Sequence, residues 1–87
     1  MNIYPIAKLF NRLDSTEILR IELINGNKIY CLPSDTISLE KTKVEIIKPI
    51  EDKTKQIIII DPSAIVVVCT MSRQTYDLKL QRGELYV

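Results

Sequence analysis

The sequence predicts a mainly β protein: a small barrel with a short N-terminal helix and a C-terminal strand or hairpin. The first observation is the segment 18–31, where apolar and polar residues alternate on both sides of Asn25-Gly26-Asn27. A period of two is typical of strands with one face in water, and Asn-Gly tolerates the positive φ of a tight hairpin. The second observation is the core composition. With no Trp and one Phe, the core is built from Ile, Val and Leu, and the β-branched members favour strands.

The chain length predicts one domain, residues 1–87, with a helix at 5–14, a barrel at 18–71 and a C-terminal extension at 72–87. A chain of this size buries a small core, so we expect strong packing or oligomerisation to stabilise it. Its 12 basic and 11 acidic residues are evenly spread and give a net charge of +1. This distribution offers no broad basic surface for nucleic acid, although a ring of identical subunits would concentrate a few lysines on one face.

Residues 5–14 carry the pattern of a short helix. Ile6, Leu9, Phe10 and Leu13 are spaced i, i+3, i+4 and i+7, which places them on one helical face. A proline at position 5 suits the first turn. We expect the apolar face to cover an open end of the barrel, and a helix that binds a partner is the alternative.

The middle of the chain predicts two further strands and a hairpin. Residues 28–32 form the second strand, Pro33-Ser34-Asp35 bends or breaks it, and residues 36–39 resume it. A third strand is centred on residues 44–47. The mixed charges around it indicate a hairpin tip in water at residues 49–54.

Two strands near the end of the barrel are apolar on both faces and are separated only by Asp61-Pro62-Ser63. The interior of a small barrel buries one face of a strand, so another layer must cover the second face. Left open, such strands are an aggregation hazard, and we expect them to pair with another copy of the chain. Coverage by the chain's own elements is the alternative. The predicted interface residues are Ile57, Ile58, Ile59, Ile60, Ile65, Val66, Val67 and Val68.

The C-terminal extension alternates again, with Tyr76, Leu78 and Leu80 separated by polar residues. This period predicts a strand. Residues 82–84 contain a glycine that would turn the chain, so that residues 85–87 complete a hairpin.

The order of these elements resembles the Sm-like family, most closely its bacterial Hfq branch, over residues 5–71. Residues 21–29, IELINGNKI, are similar to the family's first motif, an apolar strand that ends in Asn-Gly and is followed by Lys and an aliphatic residue. Residues 60–67, IDPSAIVV, resemble the second motif, a short turn followed by Ala-Ile and an apolar last strand. The resemblance implies a five-stranded, strongly bent SH3-like barrel, hexameric or heptameric rings, and single-stranded RNA bound on the ring faces.

Five residues match the region that forms the purine-preferring face in Hfq-like rings, and two lysines further along the chain would contact phosphates. Tyr30 would stack on a base if it lies on an exposed barrel face, which contributes about 1 to 3 kcal/mol per base. The alternative is a packed amphipathic residue of the strand, because Tyr is common in strands for packing reasons. Structural explanations also exist, since Asn25 and Gly26 suit a turn, Ile29 suits the core and Lys28 suits a solvated strand position. The expected RNA-binding residues are Asn25, Gly26, Lys28, Ile29, Tyr30, Lys41 and Lys43.

The chain departs from the family at several positions. Where Hfq proteins carry a Lys-His pair that lines the uridine-binding pore, this chain has Pro62 and Ser63. Residues 12–17 lack the arginine cluster of the family's outer rim, and Cys31 stands where the family tends to have Gly. The resemblance therefore supports architecture and assembly better than it supports uridine recognition.

The sequence contains no catalytic signature. It has no His, which removes the commonest general base, and Cys31 and Cys69 have no activating neighbour and suit reduced core positions. We therefore expect a protein that is not an enzyme and that holds no metal and no cofactor. The start of the chain and its longest apolar runs predict a soluble, cytoplasmic protein with no membrane partner.

Two functions from different classes remain open at this point. The first is an Sm-like, ring-forming homo-oligomer that binds single-stranded RNA. The second is an SH3-like barrel that binds another protein as an interaction or scaffold module, without RNA binding. Solution size and RNA affinity distinguish them.

Overall fold

A computed structural model describes residues 4–51 and 54–84 of the chain. In chain order its elements are α1 (Tyr4–Asn11), β1 (Glu17–Leu23), β2 (Lys28–Cys31), β3 (Thr36–Leu39), β4 (Val44–Glu51), β5 (Thr54–Ile60), a 3-10 helix (Pro62–Ala64), β6 (Ile65–Ser72) and α2 (Arg73–Gln81). The strands form two three-stranded antiparallel sheets, ordered β2-β1-β6 and β3-β4-β5. The predicted mainly β fold class is confirmed, with a helix at each end.

β1 is the central strand of the first sheet, and its two faces meet different layers. Leu19 and Ile21 are fully buried in the main core, whereas Ile18 is fully buried on the opposite face. β2 pairs antiparallel with β1, which places Leu19 opposite Cys31. The hairpin predicted for residues 18–31 is therefore confirmed.

β6 pairs with β1 along its length and contains one extra residue. Glu22 lies opposite Val67 and Leu23 opposite Ile65, so Val66 has no partner residue in β1. An extra residue of this kind is a β-bulge, which bends the strand and increases its local twist. Val66 and Val67 are both exposed at the bulge.

The chain passes from the first sheet to the second through a tight bend at residues 32–35. The Asp35 N–H donates to the Leu32 carbonyl at 2.9 Å, and the Leu32 N–H donates to Asp35 Oδ2 at 2.9 Å. The same Oδ2 accepts a hydrogen bond from Lys48 Nζ in β4, and both charged side chains are buried. A buried ion pair therefore attaches the bend to the second sheet.

The main core contains side chains from both sheets and from α1. Ile6 of α1 is fully buried in the same cluster as Ile21 of the first sheet and Val44 of the second. α1 also packs against β6. The helix predicted at residues 5–14 is confirmed, and it ends at Asn11.

The C-terminal strand or hairpin predicted for residues 72–87 is wrong, because Arg73–Gln81 form α2. Ser72 Oγ accepts a hydrogen bond from the Thr75 N–H at 3.0 Å, so Ser72 is the N-cap of the helix. Tyr76 is buried against the first sheet, while the two leucines of α2 are exposed. The alternating pattern therefore arises from exposed apolar residues and does not mark one buried face.

Two segments predicted in the C-terminal half of the chain extend beyond the described residues. β4 and β5 pair as far as Glu51 opposite Thr54, so the predicted hairpin tip at 49–54 lies partly outside them. Residues 85–87, predicted to complete a hairpin, lie wholly outside them. In the described part, neither helix is long and apolar enough to cross a membrane.

The ion pair at the bend leads to a stability prediction. We expect Asp35→Asn to lower the free energy of unfolding by about 3 kcal/mol, because it leaves the Lys48 ammonium buried without its counter-ion. Urea unfolding followed by circular dichroism measures the loss. The matched control is Asp77→Asn, which removes the exposed 3.2 Å pair with Arg73 and should cost less than about 1 kcal/mol. Equal losses in the two variants would show that burial of the first pair has no special role.

Candidate nucleic-acid interface

The turn between β1 and β2 holds the first two predicted RNA-binding residues. The Leu23 N–H donates to the Asn27 carbonyl at 2.8 Å, and the Gly26 N–H donates to the Leu23 carbonyl at 2.9 Å. The loop is therefore three residues long, and its last residue, Gly26, has a φ of 89°. Asn25 Oδ1 accepts a hydrogen bond from the Asn27 N–H at 3.0 Å. Asn25 and Gly26 thus have the turn role expected from the sequence.

Two further turns lie at the same end of the protein. The Ile24 N–H donates to the Ala64 carbonyl at 2.7 Å, which joins the β1–β2 turn to the 3-10 helix. Val44 lies opposite Ile60, so the β3–β4 turn, residues 40–43, ends beside the last residue of β5. We call this end, formed by residues 24–27, 40–43 and 61–64, the turn end.

Pro62 and Ser63 form the 3-10 helix of the turn end. Asp61 Oδ1 accepts hydrogen bonds from the Ser63 N–H at 3.0 Å and the Ser63 hydroxyl at 2.9 Å. These bonds hold the pKa of the Asp61 carboxyl below its ordinary value, and Pro62 is buried. The turn end therefore carries a carboxylate where a Lys-His pair would have offered cations to RNA.

A groove of about 610 Å³ runs beside β2, and we call it the β2 groove. Four of the predicted RNA-binding residues line it together, whereas Asn25, Lys41 and Lys43 do not. Sequence reasoning missed the other three lining residues. Asn27 and Leu23 were signalled by their place in the same hairpin, but nothing in the sequence places Glu84 there. The lining residues are Leu23, Gly26, Asn27, Lys28, Ile29, Tyr30 and Glu84.

Tyr30 lines the β2 groove but is packed by its own chain. Its ring lies 5.4 Å from the ring of Tyr76 of α2, tilted by 49°, and the two residues are only 8% and 2% exposed. Ile18 is buried in the same cluster, with Leu32 and Met71 packed against it. α2 therefore covers the sheet face on which an open Tyr30 would have stacked on a base.

The lysines of the site lie beside carboxylates. Lys28 Nζ is 3.8 Å from Glu22 Oε1, and Lys43 Nζ is 3.4 Å from Glu45 Oε2. Pairs as exposed as these contribute little stability, about 0 to 1 kcal/mol, so either lysine exchanges its carboxylate for a phosphate at small cost. Lys41 is exposed in the β3–β4 turn.

The titratable side chains of the described residues offer little reactive chemistry. Burial raises the pKa of the Cys31 thiol to about 12, so the sulfur is protonated and a poor nucleophile. Cys69 is a free, half-buried thiol in β6. Across residues 4–51 and 54–84, no group of three or more His, Cys, Asp or Glu residues could hold a metal ion.

The packing of Tyr76 predicts an alkaline transition. Burial is the main cause that raises the pKa of Tyr76 above its ordinary value of 10.0. The folded protein therefore favours the neutral phenol, and this stabilisation is present below pH 10.0 and is lost as the pH rises through the higher folded pKa. Phenolate absorbance should show a late ionisation that Tyr76→Phe removes. In urea, the wild type should lose stability relative to Tyr76→Phe as the pH rises above 10.0. An unchanged difference in stability would contradict the role given to burial.

No family model, no curated protein and no solved structure matches this chain. What the chain does is therefore inferred from its own topology, its strand edges and the composition of its grooves.

Proposed function

We propose that this chain is a subunit of an Sm-like ring that assembles edge to edge in the cytoplasm and binds single-stranded RNA. The strand order supports the proposal. If β2 and β3 are counted as one strand bent at residues 32–35, the order is β6-β1-β2/β3-β4-β5. Counted in this way, the two three-stranded sheets would correspond to one bent, five-stranded sheet preceded by a helix, which is the arrangement that the resemblance to the Sm-like family implies.

The observation that carries the proposal is a pair of open, apolar strand edges. Within the described residues β5 pairs only with β4, and β6 pairs only with β1. Ile57 and Ile59 of β5 are 57% and 63% exposed, and Val66 of β6 is 50% exposed. Open edges of this composition promote aggregation unless another strand covers them.

Not all of the predicted interface residues point outward. Four of them face the main core of their own subunit and four face solvent. An edge contact uses the backbone of both sets, because neighbouring strands join through main-chain hydrogen bonds. The inward residues are Ile58, Ile60, Ile65 and Val68, and the outward residues are Ile57, Ile59, Val66 and Val67.

Two different edges favour a ring over a simple dimer. If β5 of one copy pairs with β6 of the next, each copy keeps one free edge, so the contact repeats. A repeated head-to-tail contact either closes into a ring or grows into a filament. Closure leaves no open edge, and we propose a hexameric or heptameric ring.

Backbone bonding indicates which groups are available at the β6 edge. The Arg73 N–H donates a 2.7 Å hydrogen bond to the Thr16 carbonyl, just beyond the Glu17–Ser72 end of the β1–β6 pair. Every second residue of an antiparallel strand bonds to the same neighbour, so Met71 and Cys69 direct their backbone groups to β1. Thr70 and Val68 direct theirs to the open edge.

The assembly prediction uses this difference between neighbouring residues. Thr70→Pro removes an N–H that has no neighbouring strand on its side within residues 4–51 and 54–84 but would bond β5 of the next copy. The substitution should therefore convert rings into monomers that retain their circular dichroism spectrum. Native mass spectrometry and light scattering measure the size. Thr70→Val is the matched control, because it keeps the N–H and should leave the ring intact.

Two results would contradict the assembly. One is a monomeric wild type, and the other is a Thr70→Pro variant that keeps the size of the wild type. Ile58→Lys is a poor substitute for Thr70→Pro, because Ile58 packs against the main core and its replacement would unfold the subunit.

RNA binding follows from repetition of the turn end and the β2 groove around a ring. Each subunit contributes Lys28 in the groove and Lys41 and Lys43 in or beside the β3–β4 turn. Contacts to phosphate release counter-ions, and a ring presents them in several copies. The β2 groove also offers apolar side chains and Asn27 to a base.

A salt series tests RNA binding. The affinity of the wild type for short A-rich RNA should fall steeply as salt rises, and Lys28→Ala should reduce the slope by about 0.7 for each lysine–phosphate interaction that it removes per RNA. Fluorescence anisotropy measures both quantities. Lys55→Ala is the control, since Lys55 lies opposite Pro49, toward the other end of the β4–β5 pair from the turn end. No binding of A-rich or U-rich RNA at low salt would contradict this part of the proposal while leaving the assembly intact.

One observation favours the second function, an SH3-like protein-interaction or scaffold module. Glu22, Glu45 and Asp61 lie beside the cations or the turns that RNA would approach, and α2 covers the ring of Tyr30. A ring that binds no RNA but retains a defined protein partner in a pull-down from lysate, lost in Thr70→Pro or in a groove variant, would favour this function.

A further inference from the structure

One face of the first sheet carries charged side chains beside the part that α2 covers. Ile18 of β1 is buried on this face in the cluster to which α2 contributes. Side chains alternate along a strand, so Arg20 and Glu22 point to the same side of the sheet as Ile18. Arg20 lies opposite Tyr30 of β2, and Glu22 lies opposite Lys28. We call Arg20, Glu22 and Lys28 the charged cluster.

Two cations of the charged cluster share a single carboxylate oxygen. Glu22 Oε1 lies 3.7 Å from Arg20 Nη2 and 3.8 Å from Lys28 Nζ. Both distances are too long for a hydrogen bond, so each contact is a weak ion pair. The charged cluster therefore has more positive than negative charge. Any anion oxygen that takes the place of Glu22 Oε1 lies close to both cations.

The Arg20 guanidinium is incompletely hydrogen-bonded within the described residues. Its Nε is buried and has no hydrogen-bond partner there, while the side chain as a whole is 29% exposed. A buried donor without an acceptor costs stability. An apolar side chain between Tyr30 and Cys69, the residues opposite position 20 on the two neighbouring strands, would avoid this cost. Packing of the sheet therefore does not explain an arginine at this position.

We infer that Arg20 and Lys28 together hold one phosphate group of single-stranded RNA, which displaces the Glu22 carboxylate. The inference rests on the proposed RNA binding and adds Arg20 to its site. A guanidinium presents a planar fork of donors that matches two phosphate oxygens, and an ammonium adds a point charge beside it. The phosphate supplies the acceptors that the guanidinium lacks in the free subunit, and Glu22 competes with it.

The charged cluster is continuous with the β2 groove, because Lys28 belongs to both. Glu84 lines the groove together with Lys28, so a phosphate bound by Lys28 alone would approach two carboxylates, Glu22 and Glu84. Arg20 supplies a second cation that offsets this repulsion. A phosphate held between the two cations also brings the adjoining base of the RNA to the apolar side chains of the groove.

Replacing the competing carboxylate tests the inference on the full chain. Glu22→Gln should raise the affinity for short A-rich RNA by about two- to fivefold, because it frees both cations. Asp77→Asn is the matched control, since it removes the carboxylate 3.2 Å from Arg73 and changes the net charge equally, but lies beside residues 14–17 and 70–74. Fluorescence anisotropy at about 0.1 M salt, where distant charges are screened, measures the affinity. Partial unfolding of a variant cannot produce a gain.

Substitutions of the arginine test its role directly. Arg20→Gln should lower the affinity by about tenfold and reduce the salt slope by about 0.7 for each phosphate contact that it removes. Arg20→Lys should keep the slope, because it keeps the charge, but lower the affinity, because an ammonium lacks the planar fork. Arg73→Gln is the matched control and should change neither quantity. Circular dichroism checks that each variant is folded.

The outcomes separate this inference from RNA binding itself. A gain in Glu22→Gln and a loss in Arg20→Gln, with both controls at the affinity of the wild type, support the shared phosphate site. If the wild type binds RNA but both test variants match their controls, the inference is overturned and RNA binding through the other residues stands. A wild type that binds neither A-rich nor U-rich RNA at low salt overturns both.

Discussion

The buried ion pair between Asp35 and Lys48 is the interaction on which the arrangement of the two sheets depends. Asp35 closes the bend at residues 32–35 through its bond with Leu32, and its carboxylate also accepts the Lys48 ammonium from β4. Inside a protein an ion pair is costly unless both partners are present and hydrogen-bonded. The pair therefore favours one angle between the sheets over others that would separate the charges.

The angle at this bend decides where the open edges lie. β5 and β6 are consecutive in the chain, yet they are the outer strands of different sheets, because the bend folds the second sheet across the first. Ile58 and Val68 turn into the shared core, which leaves Ile57 and Ile59 outside with backbone groups beside them. Within the described residues, a subunit built this way has two unlike open edges. A contact between unlike edges would repeat in one direction, and it would either close into the proposed ring or grow into a filament.

Local signals in the sequence predicted the local parts of the fold, and long-range contacts were beyond them. The β1–β2 hairpin and α1 follow from Asn25-Gly26 and from the spacing of Ile6, Leu9 and Phe10, which act within a few residues. The short alternating run around Tyr76 and Leu78 predicts a strand where α2 forms, and the one local signal for the helix is its N-cap, Ser72. The Asp35–Lys48 pair spans 13 residues, and no pattern marks two charges as partners before the fold brings them together.

The candidate site was predicted in part for the same reason. Gly26, Lys28, Ile29 and Tyr30 share a strand and its turn, so they line one groove. Tyr76 lies on α2 and Glu84 follows it, and the sequence did not reveal this helix. Because α2 packs Tyr76 against Tyr30, the Tyr30 ring lines the groove and is not exposed for stacking on a base. If the chain binds RNA as proposed, each subunit would offer it the exchangeable contacts of a few lysines. Weak contacts of this kind become useful when they are repeated at fixed spacing along one strand of RNA, since the later contacts are made at high effective concentration. RNA binding by this chain would therefore depend on assembly. A change at the strand edges would then reduce RNA affinity more than a change in any single side chain of the groove.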